Sequence, residues 1–291
     1  MASSKYNIFI GLTALLLIGC RPTIVDNPYG TITIEGWIDS GGHPFVMAHQ
    51  AYSLDRAEDA PDVNIGEVLW DQTFVFGRAT IFDGTDSIIL TGRLDTNYLP
   101  FFVYTTTKII GEVGHEYDLK FEYRGRVVSA KTSIPSPIYW DSLSVTAIND
   151  QSSRVQGWVS GLQETDHLLV MIKKHDEYQY RLCHLGVING TQATDGRLLI
   201  NVLNPYWVRY EHFNPDNAMM FPRYKDSTTY YDVKLARINE QEYEFWESFM
   251  AIKSTQGFVF MNTYRNLTSN IVDGNGYWCG MGSDIRTIEI R

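Results

Sequence analysis

The feature that most constrains the fold is a succession of short segments in which polar and apolar residues alternate. In the first, residues 31–38, Ile32, Ile34 and Ile38 fall on one face, the pattern of a strand that buries one side. Turn-forming residues separate one segment from the next. The same pattern predicts strands at residues 45–48, 73–82, 87–91, 101–107, 116–123, 127–132, 141–148, 155–159, 168–173, 179–185, 198–203 and 285–290. Short strands at this spacing predict a mainly β chain, with an antiparallel sandwich in its N-terminal half.

Two prolines in three residues, Pro135 and Pro137, mark the best domain boundary, because they cannot sit inside a central strand. We therefore predict a β-sandwich over residues 30–135 and a second β-rich domain over residues 138–291.

One helix is predicted in the second domain, near residues 240–253. Asn239 followed by Glu242 is a variant of the capping box that begins helices. An aromatic stripe at helical spacing, which we expect to pack on a sheet, consists of Tyr243, Trp246, Phe249, Met250 and Lys253.

The N-terminus has the pattern of a secretory signal peptide over residues 1–19. Lys5 precedes an uncharged apolar run, residues 8–19, which is shorter than the ~20 residues that a membrane-spanning helix needs. The run ends at Leu-Ile-Gly-Cys, which resembles the lipobox of bacterial lipoproteins and predicts lipidation of Cys20. Residues 20–29 would then be a lipidated tether. The alternative is a buried N-terminal helix or strand.

The net charge and the cysteine content limit the binding partners and the disulfide bonds that the chain can have. The formal net charge of −10 and the lack of a basic stripe make nucleic acid a poor partner. Apart from Cys20 the chain has Cys183 and Cys279, which could pair in an oxidising envelope or remain free.

The sequence offers no positive argument for catalysis. Its 7 histidines form no HExxH motif, no GxSxG elbow is present, and the glycines at 274–276 and 280–282 open no helix, which excludes a phosphate loop. We interpret those glycines as part of a crowded C-terminal loop. We expect no enzyme activity, no cofactor and no metal site.

Two aromatic segments are the candidate contact surface. Residues 204–210 and 219–224 flank a polar loop and combine aromatics with methionine and arginine, which are enriched in interfaces. The candidate residues for contact with a ligand or partner are Tyr206, Trp207, Tyr210, Phe221 and Tyr224. Packing of the same residues in the core is the alternative.

The chain also resembles a family of uncharacterised outer-membrane lipoproteins of Bacteroidota, whose genes lie beside SusC-like TonB-dependent transporters. The resemblance rests on residues 32–38 (ITIEGWI), 114–119 (GHEYDL), 130–135 (AKTSIP) and 269–278 (SNIVDGNGYW). Trp278 and Asn275 depart from the family's closing pattern.

The resemblance implies an immunoglobulin-like or transthyretin-like N-terminal sandwich and no known catalytic residues. It favours a lipid-anchored outer-membrane accessory or binding protein of a TonB-dependent uptake system for a glycan or peptide. Structural or adhesive envelope lipoproteins and an undetected hydrolase are the alternatives. Arg21–Val25 contains no acidic residue, so the face of the outer membrane stays open.

Overall fold

The structure, a computed structural model, describes residues 30–50, 70, 72–98, 100–183, 186–206, 219–225, 227–255 and 268–291, with backbone only for 250–255. Its strands are β1 (Ile32–Asp39), β2 (Phe45–Gln50), β3 (Arg78–Phe82), β4 (Ser87–Ile89), β5 (Thr91–Leu94), β6 (Phe102–Thr105), β7 (Glu116–Tyr123), β8 (Arg126–Ser133), β9 (Trp140–Asn149), β10 (Ser152–Ser160), β11 (His167–Lys174), β12 (Arg181–Leu182), β13 (Ile188–Asn189), β14 (Arg197–Val202), β15 (Phe221–Pro222), β16 (Thr229–Ile238) and β17 (Asn275–Ile290). A helix, α1, spans Glu240–Thr255, and a 3₁₀ turn spans Gly190–Gln192. The predicted mainly β class is confirmed.

The strands form three sheets. The largest has nine strands in the order β12-β11-β16-β17-β1-β2-β6-β5, with β13 also paired to β11. A four-stranded sheet, β4-β3-β7-β8, packs on one half of it, and a second, β14-β10-β15 with β9, packs on the other.

Each small sheet shares a core with its half of the large one. Ile34 and Val46 of the large sheet meet Leu119 and Phe121 of the first small sheet in one cluster of buried residues. The second cluster lies after the Pro135–Pro137 segment and contains Val170 with its neighbours. The structure thus contains two β-sandwiches that share the large sheet, and Thr31–Arg291 forms one compact unit. The division at residues 135–138 stays a prediction.

The 16-residue strand β17 belongs to both halves. Its first part, Asn275 to Met281, pairs in parallel with β1. Its second part, Gly282 to Ile290, pairs antiparallel with β16. The last strand of the chain therefore completes a sheet that the first strand begins.

Assignment of a C-terminal loop is wrong for Gly276, Gly280 and Gly282, which lie within β17, whereas Gly274 lies in the bend that precedes the strand. A Cβ at Gly280 would overlap the carbonyl oxygen of Ser133, and one at Gly282 would overlap that of Pro135. Gly276 adopts a φ of 98° beside the backbone of Ile34. These glycines let neighbouring backbone cross directly over the strand.

Helix α1 packs on the outer face of the large sheet. Trp246 is buried with Phe245 against Cys279 and Met281 of β17, and the Tyr243 ring stacks on His167 at 4.0 Å. Glu242 is also buried, and its Oε1 accepts a hydrogen bond of 2.5 Å from Thr132 Oγ1. The predicted stripe thus packs on a sheet at Tyr243 and Trp246.

Cys183 and Cys279 are both free thiols and do not pair. Cys183 lies in the core between the two sheets of the second sandwich, whereas Cys279 lies under the helix on the outer face. Burial raises the pKa of both thiols, which keeps them protonated. Within the described ranges, no helix has the length and apolar character to cross a bilayer.

Candidate functional site

The end of β11 places two consecutive lysines on opposite faces of the large sheet. Side chains alternate along a strand, so Lys173 points to the outer face and Lys174 to the inner side. On the outer face, Lys173 Nζ lies 3.0 Å from Asp232 Oδ2 and donates a 2.8 Å hydrogen bond to the carbonyl oxygen of Glu177. The strand end and the following turn are thereby tied together.

Asp232 of β16 is the centre of the outer-face hydrogen bonds. Its Oδ1 accepts from Thr287 Oγ1 at 2.8 Å and lies 2.8 Å from His175 Nδ1. Burial raises the pKa of this carboxyl, but hydrogen bonds from His175, Thr287 and Lys173 together outweigh burial and hold the pKa below its usual value. Asp232 is therefore held as a carboxylate.

A second ion pair lies further along the same face. Lys234, whose side chain is 2% exposed, has its Nζ 2.6 Å from Asp39 Oδ1 and 2.8 Å from Oδ2. Ser283 Oγ of the intervening strand donates to Asp39 Oδ1 at 2.5 Å. Burying a lysine ammonium without a countercharge destabilises the folded state, so the carboxylate of Asp39 is required at this position.

Tyr180 lies between the two ion pairs. Lys173 Nζ is 5.4 Å from the centre of its ring, and Lys234 Nζ is 5.1 Å from it, within the range of cation–π attraction. Burial raises the pKa of Tyr180, and the carboxylates of Asp232 and Asp39 raise it further. The phenol therefore remains neutral between two cations.

Tyr206 has the matching position beside Lys174. Arg181 lies 4.6 Å and Lys174 Nζ 5.4 Å from the centre of its ring. Its hydroxyl donates to Glu177 Oε2 and accepts a 3.1 Å hydrogen bond from the backbone N–H of Lys174. Burial, followed by the hydrogen bond to Glu177, raises the pKa of Tyr206 to about 12.

Lys173 and Tyr180 lie on the outer face and Lys174, Arg181 and Tyr206 on the inner side, and Glu177 bonds to both sets. We call these five residues the tyrosine–cation cluster. The cluster orders aromatic rings and cations around one turn, which suits contact with a partner rather than proton transfer, because each tyrosine is held neutral. In the parts of the chain that the structure describes, no group of three or more metal-binding side chains is found.

The predicted contact residues occupy different environments. Tyr206 belongs to the tyrosine–cation cluster, with its ring centre 6.2 Å from that of Tyr231, and Tyr224 is 56% exposed. Phe221 is fully buried in the core and meets Tyr231 edge-on at 5.4 Å. Trp207, Tyr210 and Cys20 lie outside the described residues.

Sequence reasoning missed Tyr180, Lys173 and the charged pairs. The available signal was the polar residues Asp232 and Lys234, which alternate with Tyr231, Val233 and Leu235 in a strand pattern. Their partners come from distant parts of the chain, and no local spacing reveals them.

Comparison with known proteins identifies a family. The model of a domain of unknown function, DUF4249, matches residues 22–284. The chain belongs to the DUF4249 family. No curated protein matches this DUF4249 chain. Among solved structures, it is similar to a two-domain fibronectin type-III segment of chicken tenascin, at 11% identity and a TM-score of 0.22, with 72% of this chain and 91% of that one covered.

Proposed function

We propose that this DUF4249 protein is a lipid-anchored outer-membrane accessory or binding protein of a TonB-dependent nutrient uptake system. It captures or presents a glycan or peptide, or braces a SusC-like transporter. The anchor is supported by the sequence around Cys20, where an apolar run ends at a lipobox-like Leu-Ile-Gly-Cys. Two or more acyl chains hold a protein stably at a membrane.

The observation that carries the binding role is the fixed position of Tyr206. Its ring is held by two cations and its hydroxyl by two hydrogen bonds. Tyr224, the other described candidate that reaches the surface, is 56% exposed. A partner that meets pre-ordered aromatic side chains loses less conformational entropy on binding. Tyrosine and arginine are also the residues that most often dominate binding energy.

The test is co-purification of the full-length lipoprotein from native membranes. We expect Tyr206→Ala combined with Tyr224→Ala to lose the transporter or ligand that the unchanged protein retains. Tyr139→Ala is the matched control, because Tyr139 is 60% exposed and has no part in the tyrosine–cation cluster. Equal recovery of partners by the double variant and the control would contradict the assignment of the contact surface.

A second candidate function is a structural or adhesive envelope lipoprotein without a small ligand. The observation that favours it is the internal pairing of charges, since Lys173 and Lys234 are both committed to aspartates that link strands. Such a protein binds a partner chain but no glycan or peptide. A screen of soluble glycans and peptides against the purified lipoprotein separates the two functions.

A further inference from the structure

The outer face of the sheet formed by β9, β10, β14 and β15 exposes a tryptophan. Trp158 of β10 pairs with Ser142 on one side and with Leu199 on the other. Neighbouring positions Val155 and Val159 face the core, so Trp158 faces outward, and it is 40% exposed. The pairing with β9 shifts register directly after Trp158, so the indole lies beside an irregularity of the sheet. A large indole left this exposed needs an explanation, because tryptophan is highly buried on average.

Leu199, directly opposite on β14, is the exposed apolar neighbour of this ring, and the other neighbours on this face are polar. Gln156 Nε2 donates a 2.7 Å hydrogen bond to Asn201 Oδ1, and these two residues pair on the same face as Trp158. On the β9 side the positions opposite Trp158 and Gln156 are Ser142 and Ser144. Small residues there leave the flank of the indole open.

Arg197 lies over the ring, with its guanidinium carbon 5.1 Å from the centre. This cation–π contact orients the indole, which stays 40% exposed. Residues two apart on a strand are about 7 Å apart, so the amides of Gln156 and Asn201 lie next to whatever stacks on Trp158.

We propose that this face binds a neutral glycan chain. The C–H face of a pyranose ring stacks on Trp158, while the carboxamides of Gln156 and Asn201 provide donors and acceptors for its hydroxyl groups. A protein partner fits less well, because serine is depleted in protein interfaces and the apolar surface here is interrupted by polar side chains. The site uses none of the residues of the tyrosine–cation cluster. It deepens the proposed function, on whose choice of a glycan ligand it rests.

The experiment is affinity electrophoresis of the full-length lipoprotein in detergent through gels that contain hydroxyethylcellulose, arabinoxylan, galactomannan or dextran. We expect at least one of these polysaccharides to retard the unchanged protein. Trp158→Ala then binds roughly tenfold more weakly, whereas Trp158→Tyr, which keeps an aromatic ring, retains most of the retardation. The matched control is Trp70→Ala, since Trp70 is 41% exposed in another part of the chain.

Two results overturn the proposal. In the first, none of the four polysaccharides retards the unchanged protein. That result overturns the proposal even if cross-linking in membranes finds a protein partner at this face. The other is equal retardation of Trp158→Ala and the unchanged protein. Because neither result involves Tyr206 or Tyr224, failure here is distinguishable from failure of the proposed function.

Discussion

The carboxylate of Asp39 and the ammonium of Lys234 lie 2.6 Å apart across an intervening strand, although 195 positions separate them in the sequence. Asp39 ends β1, Lys234 lies in β16, and β17 runs between them and contributes Ser283. The pair therefore joins the two halves of the large sheet at the strand that they share.

We expect Asp39→Asn to destabilise the protein by about 3 kcal/mol, because it leaves the Lys234 ammonium buried without a countercharge. The double variant Asp39→Asn/Lys234→Met should recover most of that loss, since no charge then remains buried. Urea unfolding of both variants measures the difference. A single variant that loses less than about 1 kcal/mol, as for an exposed pair, contradicts this role.

Stability should fall in acid partly through Asp232. Hydrogen bonds hold its folded pKa below the unfolded value, so its contribution is complete above the unfolded pKa of ~3.9 and is lost as pH falls through the folded pKa. Thermal unfolding between about pH 5 and pH 2 should show a shallower decline for Asp232→Asn than for the unchanged protein. Parallel profiles for the two proteins are the contrary result.

Glu242 should have the opposite effect on how stability depends on pH. Burial raises its pKa, so its protonated form is favoured in the folded state and its contribution is lost as pH rises through the folded pKa. We expect Glu242→Gln to gain stability relative to the unchanged protein between pH 4 and pH 7. The control is Glu244→Gln, because Glu244 is exposed on the same helix. If both variants give the same pH profile, burial of Glu242 has no such effect.

Gly280→Ala should destabilise the protein by about 2 kcal/mol or more, because the added methyl group overlaps the Ser133 carbonyl in a packed region. Gly114→Ala is the comparison. Gly114 has a φ of 82° but open space around it. The Gly114→Ala variant therefore reports the cost of backbone strain alone, about 1 kcal/mol. Denaturant midpoints rank the two variants, and a milder effect at Gly280 would falsify the close crossing of backbones there.

The proposed anchor at Cys20 has a direct test. Protein from native membranes should have the intact mass of a chain that begins at Cys20 and carries acyl groups. Cys20→Ser should remove the lipid and release the protein into the aqueous fraction. An unacylated, full-length chain recovered in that fraction from unchanged cells contradicts both the anchor and the compartment.

Local patterns were enough to predict several elements. The alternation at residues 31–38 corresponds to β1. The turn-forming residues between the predicted strands 73–82 and 87–91 do join β3 to β4, where Asp83 Oδ1 accepts hydrogen bonds from the backbone N–H groups of Thr85 and Asp86. The predicted helix at 240–253 is observed at Glu240–Thr255. Each of these depends on residues close together in the chain.

Elements defined by distant partners could not be predicted. β16 is absent from the predicted strands, because two charged residues argue against a buried strand. Asp232 and Lys234 can be buried there only because Thr287 and Asp39 supply their partners. β17 was expected only over residues 285–290, because its glycines are typical of turns. They become strand residues only through the backbone that crosses at Ser133 and Pro135. The site depends on the same long-range pairing.

The position of β17 between β1 and β16 also constrains the order in which the protein can fold. Until residues 275–281 have been synthesised, β1 has hydrogen-bonding groups along one side without their native strand. A nascent chain of this protein therefore cannot complete its N-terminal sheet during elongation. A product that ends before Asn275 keeps an unpaired edge on β1 that can pair with other chains. Quality control that recognises such an edge would distinguish complete chains from truncated ones.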